Sequence, residues 1–172
     1  MSSPYDPDEI AGIVELFGAL TRSELAEALS ELAFRSGLDA DDSAFDDTVA
    51  EAIDAFELIV VEAEAIDSTT PTDKSSAETT AFLAPGPAAF PVLPDGAEDL
   101  PHILDVEKRH LDRETLGRIA EQRLRTEAAQ AVQADEDDRL RELFDVSYDL
   151  EAWAPIDLAD LRTQLDSAEG TK

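Results

Sequence analysis

The chain has 172 residues, with 41 acidic against 13 basic side chains and a net charge of −28. It has no cysteine, which excludes disulfides, zinc–thiolate sites and thiol catalysis, and no apolar run approaches the roughly 18 residues of a membrane span. Its 43% of apolar residues are enough to bury one sizeable core, so wholesale disorder is excluded despite the charge.

Asp6-Pro7-Asp8-Glu9 opens a first helix: a side-chain oxygen for the orphan amides, proline at the first helical position and acids over the positive dipole end. Ile10, Ile13, Val14 and Phe17 follow at helical spacing, to about Ala19. Thr21-Arg22-Ser23-Glu24 is a capping box for a second helix with Leu25, Ala28, Leu29 and Leu32 on its apolar stripe and Gly37 at its end. Ser43 is expected to cap a third helix that turns Phe45, Val49, Ile53 and Phe56 inward. The period then changes, and β-branched Leu58–Glu64 reads as a strand. A polar loop over 67–80 leads to a second strand, Ala81–Ala84, returning beside the first.

Five of the nine prolines lie in residues 85–101, which predicts a non-helical, extended run over the surface, pinned by Phe90, Val92 and Leu93. Asp112-Arg113-Glu114 starts a long helix with a stripe of Leu116, Ile119, Ala120, Leu124, Ala128, Ala131 and Val132. Asp135–Asp138 restarts it, with Leu140, Leu143 and Phe144 next on the stripe. A last piece carries Tyr148, Leu150, Trp153, Ile156, Leu158, Leu161 and Leu165, the two aromatics as docking anchors, and Ser167–Lys172 is expected to fray. The fold class is therefore α+β and predominantly helical: three helices plus a short β-hairpin over 8–84, a Pro-rich extended connection over 85–107 and a helical C-terminal segment over 108–166.

This element order resembles the winged helix-turn-helix topology over residues 8–84. Segments such as Leu20-Thr21-Arg22-Ser23-Glu24-Leu25 and Asp112-Arg113-Glu114-Thr115-Leu116-Gly117 are also similar to those of an uncharacterised family of acidic haloarchaeal proteins, a resemblance that supplies no function. The acid excess is spread along the chain, with three lysines against ten arginines. Its self-repulsion is screened at molar salt, where the Debye length falls to roughly 3 Å, so the composition suits a high-salt cytoplasm. The start, Met1-Ser2-Ser3-Pro4-Tyr5-Asp6, lacks the basic and apolar regions of a secretory signal, which points to a cytoplasmic location.

A winged helix would lay its third helix in the DNA major groove, but residues 43–54 carry Asp46, Asp47, Glu51 and Asp54 and no base. Such a face repels phosphates, and DNA binding through it is disfavoured; the 67–80 loop offers only Lys74. Basic residues concentrate instead at Lys108, Arg109, Arg113, Arg118, Arg123 and Arg125. Glu114–Arg118, Glu121–Arg125, Asp135–Arg139 and Asp137–Arg141 have the favourable order for helical ion pairs, leaving Arg109, Arg113 and Arg123 as candidate partner contacts. The Leu/Ala stripe of 116–132 offers a possible dimer seam.

Asp39-x-Asp41-x-Ser43 begins like a calcium loop, yet Ala44 stands where glycine is needed and Ala50 where the bidentate glutamate belongs, so no metal is assigned. His102 and His110 sit in no HExxH, and GxSxG, GxxxxGK[ST] and GxGxxG are absent, so neither catalytic residue nor cofactor is assigned. The expected function is a non-enzymatic protein-interaction or dimerisation module, its partner another protein or a second copy, with no membrane association. The alternative is a DNA-binding transcription regulator.

Overall fold

The computed structural model describes residues 3–39, 41–62 and 81–169. The loop expected at 67–80, with Lys74, and the last two residues of the predicted first strand lie outside the described residues. The chain divides into two compact units, Met1–Leu111 and Asp112–Lys172.

The first unit begins with α1 (Pro7–Phe17), capped by Asp6, whose carboxylate accepts from the Glu9 amide while Glu9 reciprocates on the Asp6 amide. Helix α2 (Arg22–Arg35) has the same device in Thr21 and Glu24. Helix α3 (Asp42–Asp54) is capped by Asp41 and not by the expected Ser43: Asp41 Oδ1 accepts from the amides of Ser43 at 3.0 Å and Ala44 at 3.4 Å. A carboxylate adds full negative charge at the dipole end, which a hydroxyl does not.

Phe56 does not belong to the α3 stripe. It follows the helix at φ +63°, with its amide donating to Ile53 O and that of Glu57 to Ala52 O. This is a Schellman closure with a buried phenylalanine in the position glycine usually fills. Burial of the ring offsets the left-handed strain.

Strands β1 (Leu58–Glu62) and β2 (Ala81–Pro85) pair antiparallel, with Leu58 opposite Pro85 and Val60 opposite Leu83. Leu20, between α1 and α2, adds an antiparallel bridge to Leu83. Ile10, Ile13, Phe17, Leu25, Leu29, Leu32, Phe45, Val49, Leu58 and Leu83 form the core.

Residues 86–111 complete this unit, and the expectation of an extended, non-helical run is corrected. Ala97–Asp99 form a 3-10 turn that continues into α4 (Leu100–Ile103), where Pro101 sits in the first turn and so removes no helical hydrogen bond. Ala97, Leu100 and Leu104 enter the core. Phe90, Val92 and Leu93 do not pin the segment, since their side chains are 77%, 51% and 41% exposed.

The second unit is three helices, α5 (Arg113–Gln133), α6 (Asp137–Trp153) and α7 (Ala159–Glu169), each packed on the other two. Asp112 caps α5 through the Thr115 amide. The predicted stripe is buried at Leu116, Ala120, Leu124, Ala128 and Ala131, whereas Val132 faces outward. Helices α6 and α7 cover the buried part of this stripe with Leu140, Leu143, Leu150, Leu161 and Leu165. Ser167–Glu169 belong to α7, and residues 170–172 of the segment expected to fray lie outside the described residues. Tyr148 is half exposed, but its ring meets Phe144 edge-on and carries the Arg162 guanidinium of α7 4.4 Å from its centre, so it docks that helix from the surface.

Candidate interaction surfaces

Arg109 lies in the segment that closes the first unit. Its amide donates to Phe17 O at 2.7 Å, and its own carbonyl presses on Gly18, where a Cβ would fall 1.8 Å away. Gly18 also has φ +80°, so both the space and the backbone there require glycine. The guanidinium forms a fork on Glu24, Nη1 to Oε2 at 2.7 Å and Nη2 to Oε1 at 2.8 Å. Nη1 also donates to Ala19 O at 3.0 Å, and the group lies 4.6 Å from the centre of the Phe82 ring. Burial works against ionisation of Glu24, but hydrogen bonds from Arg109 and Thr21 and the adjacent positive charge prevail, holding its carboxyl below the usual range.

Arg113 stacks 4.3 Å above the Trp153 ring and donates to Trp153 O. Arg123 donates to Glu127, and Glu127 in turn accepts from Arg139, which also holds Glu142. The arginines selected as partner contacts are thus engaged inside their own units. Arg109 and Arg123 each have the carboxylate that helical spacing alone did not reveal. Of the expected ion pairs, Glu114–Arg118 and Glu121–Arg125 form, and Arg125 makes a second fork to Asp160 at 3.0 and 3.2 Å.

The outward face of α3 bears exposed Asp46, Asp47, Glu51 and Asp54. The calcium-like spacing at Asp39–Ser43 resolves into the Asp41 helix cap. Neither His102 nor His110 is buried.

Sequence reading missed a second surface on the first unit. The chain from Gly86 to Val92 is fastened by its backbone: Gly86 N to Glu57 O at 2.8 Å, Ala88 N to Phe56 O at 3.0 Å, Phe90 N to Asp8 Oδ1 at 3.1 Å and Val92 N to Asp8 O at 3.1 Å. Two glycines permit the close approach, since a Cβ on Gly12 would lie 2.1 Å from Val92 O and one on Gly86 2.2 Å from Phe56 O. Beside this run, no donor among the described residues reaches the buried Glu57 Oε2. Burial, then the charges of Asp8 and Asp6, raise the Glu57 carboxyl above the ordinary range.

In the second unit, Arg125, Ala128, Val132, Leu161 and Leu165 line a groove of about 520 Å³ between α5 and α7. No helix among the described residues is long and apolar enough to cross a membrane.

Residues 8–170 match the family of unknown function DUF7109. The chain belongs to this family. No curated protein and no solved structure matches it. The family match spans both compact units.

Proposed function

We propose that this DUF7109 member is a non-enzymatic, cytoplasmic protein-interaction module adapted to high salt and built on a winged-helix-like first unit. The topology supports the scaffold: three helices and a hairpin, with Leu20 between α1 and α2 bridging to Leu83 as a third strand position. The observation that carries the interaction reading is the placement of charge. Helix α3, the element such a fold would lay in a major groove, offers Asp46, Asp47, Glu51 and Asp54 to solvent. Arg109, Arg113 and Arg123 meanwhile engage Glu24, Trp153 and Glu127. A nucleic-acid reader draws most of its affinity from cations free to neutralise phosphates, and an arginine held by a carboxylate must first release it.

The topology by itself favours a second reading, a DNA-binding transcription regulator, and the charge distribution weighs against it. The test combines fluorescence anisotropy with labelled duplex DNA, from millimolar to molar KCl, and cross-linked capture at native salt with nuclease added to half the sample. The interaction module gives no saturable duplex binding and partners that survive nuclease. Saturable duplex binding, or partners that vanish with nuclease, overturns it in favour of the regulator.

A further inference from the structure

We infer that Phe90-Pro91-Val92-Leu93 is a docking strip for a cationic amphipathic segment of a partner protein. The inference rests on the interaction-module reading and names the surface and the chemistry of its occupant. Four consecutive apolar residues face solvent, Phe90 at 77% exposure, on a chain that is otherwise strongly acidic. They are not a loose loop. Four backbone hydrogen bonds to Asp8, Phe56 and Glu57, together with the close approaches at Gly12 and Gly86, hold the backbone while its side chains point outward. A strip already ordered loses little conformational entropy when it is covered, which favours binding. A fold that seats a phenylalanine this firmly and leaves it wet presents it as a contact residue.

Charge decides the occupant. The strip's backbone runs directly against Asp8, whose carboxylate accepts from the Phe90 amide and whose carbonyl accepts from the Val92 amide, and exposed Asp6 stands two residues before it. A second copy would bring another net charge of −28 to this place, where a cationic segment meets Asp8 with the opposite sign, and is repelled wherever salt does not screen it. A helix with leucines on one face and lysines along its borders satisfies both features, its apolar face on Phe90 and Leu93 and its cations beside Asp8.

The experiment uses the full chain and a fluorescein-labelled amphipathic Leu/Lys helical peptide, read by anisotropy at molar KCl, where attraction between exposed charges is largely screened. One control scrambles the peptide so that composition and charge are kept and the apolar face is lost; a second replaces each lysine by glutamate. At molar KCl the first peptide is expected to bind and the scrambled one to fail; at lower salt, where charge is felt, the glutamate peptide is expected to bind several-fold more weakly than the lysine peptide, and equal binding there overturns the inference. Phe90→Ser with Leu93→Ser is expected to weaken binding by about tenfold or more. Asp8→Asn keeps the acceptor for the Phe90 amide and removes the charge, so it weakens binding roughly threefold at lower salt. Far-UV circular dichroism checks folding, and Phe90→Ser alone serves if the double variant loses helix signal.

Absence of binding, equal binding of the scrambled peptide, or binding indifferent to the Phe90 variants overturns the inference. Self-association in sedimentation velocity that the same variants abolish also overturns it, assigning the strip to a second copy and leaving the interaction-module reading intact. Failure of that broader reading shows separately, as saturable duplex binding.

Discussion

Replacing Arg109 by alanine removes a fork to Glu24, a donor to Ala19 O and a cation resting on Phe82. Hydrogen bonds to charged groups each contribute about 1.5–3 kcal/mol, and stranding one member of a fully buried ion pair costs about 3–5 kcal/mol. The pair here is 19% and 23% exposed, so water recovers part of the loss and the expected cost is about 2–3 kcal/mol. Arg109→Lys keeps the charge and loses the fork, costing about half as much.

The decisive measurement is a double-mutant cycle with Glu24→Gln, since Gln still accepts from the Thr21 amide and leaves the helix cap in place. Urea unfolding followed by far-UV circular dichroism at molar KCl should give a coupling of about 1.5–2.5 kcal/mol. The pH dependence has a definite sign. The Glu24 carboxyl lies lower in the folded chain than in the unfolded one, so its contribution is present above the unfolded pKa and is lost as pH falls through the folded pKa. In Glu24→Gln that part of the acid sensitivity disappears. A coupling below about 0.5 kcal/mol, the size of an exposed surface pair, refutes the reasoning.

Gly18→Ala must fit a Cβ 1.8 Å from Arg109 O at φ +80°, and is expected to cost more than about 3 kcal/mol, seen as a large fall in thermal midpoint. Glu57→Gln is expected to stabilise the protein at neutral pH, because the Glu57 carboxyl is raised by burial and by Asp8 and Asp6. Its advantage disappears as pH falls from the folded pKa to the unfolded one, where wild-type Glu57 is protonated too, so a pH series of urea midpoints should converge in acid. Lowering KCl from molar to millimolar is expected to reduce the melting temperature, since the net charge of −28 is then poorly screened; a melt indifferent to salt contradicts this.

Features that depend on near neighbours were legible in the sequence. The caps at Asp6, Thr21 and Asp112 join a side chain to an amide three positions on, and each forms as read. The hairpin followed from a change of period and forms in the expected place. Arg109 and Glu24 stand 85 positions apart, and no local rule pairs them. Arg123 has no acid four positions before it, the favourable helical order, and pairs instead with Glu127, four positions after it. In the proline-rich stretch neither helical nor strand period applies, so the orientation of Phe90 and Leu93 could not be read. Their exposure in the folded chain reveals it.

The closing of the first unit by Arg109 has a consequence for how the protein is made. A ribosome releases α1, α2 and the hairpin well before residue 109, so during translation Glu24 waits without its counter-charge and the surface later covered by Leu100 and Leu104 stays open. The nascent chain therefore passes through a stage in which most of the unit exists and its last stitch does not. Within this unit, the segment that secures the earliest helices is the last to emerge.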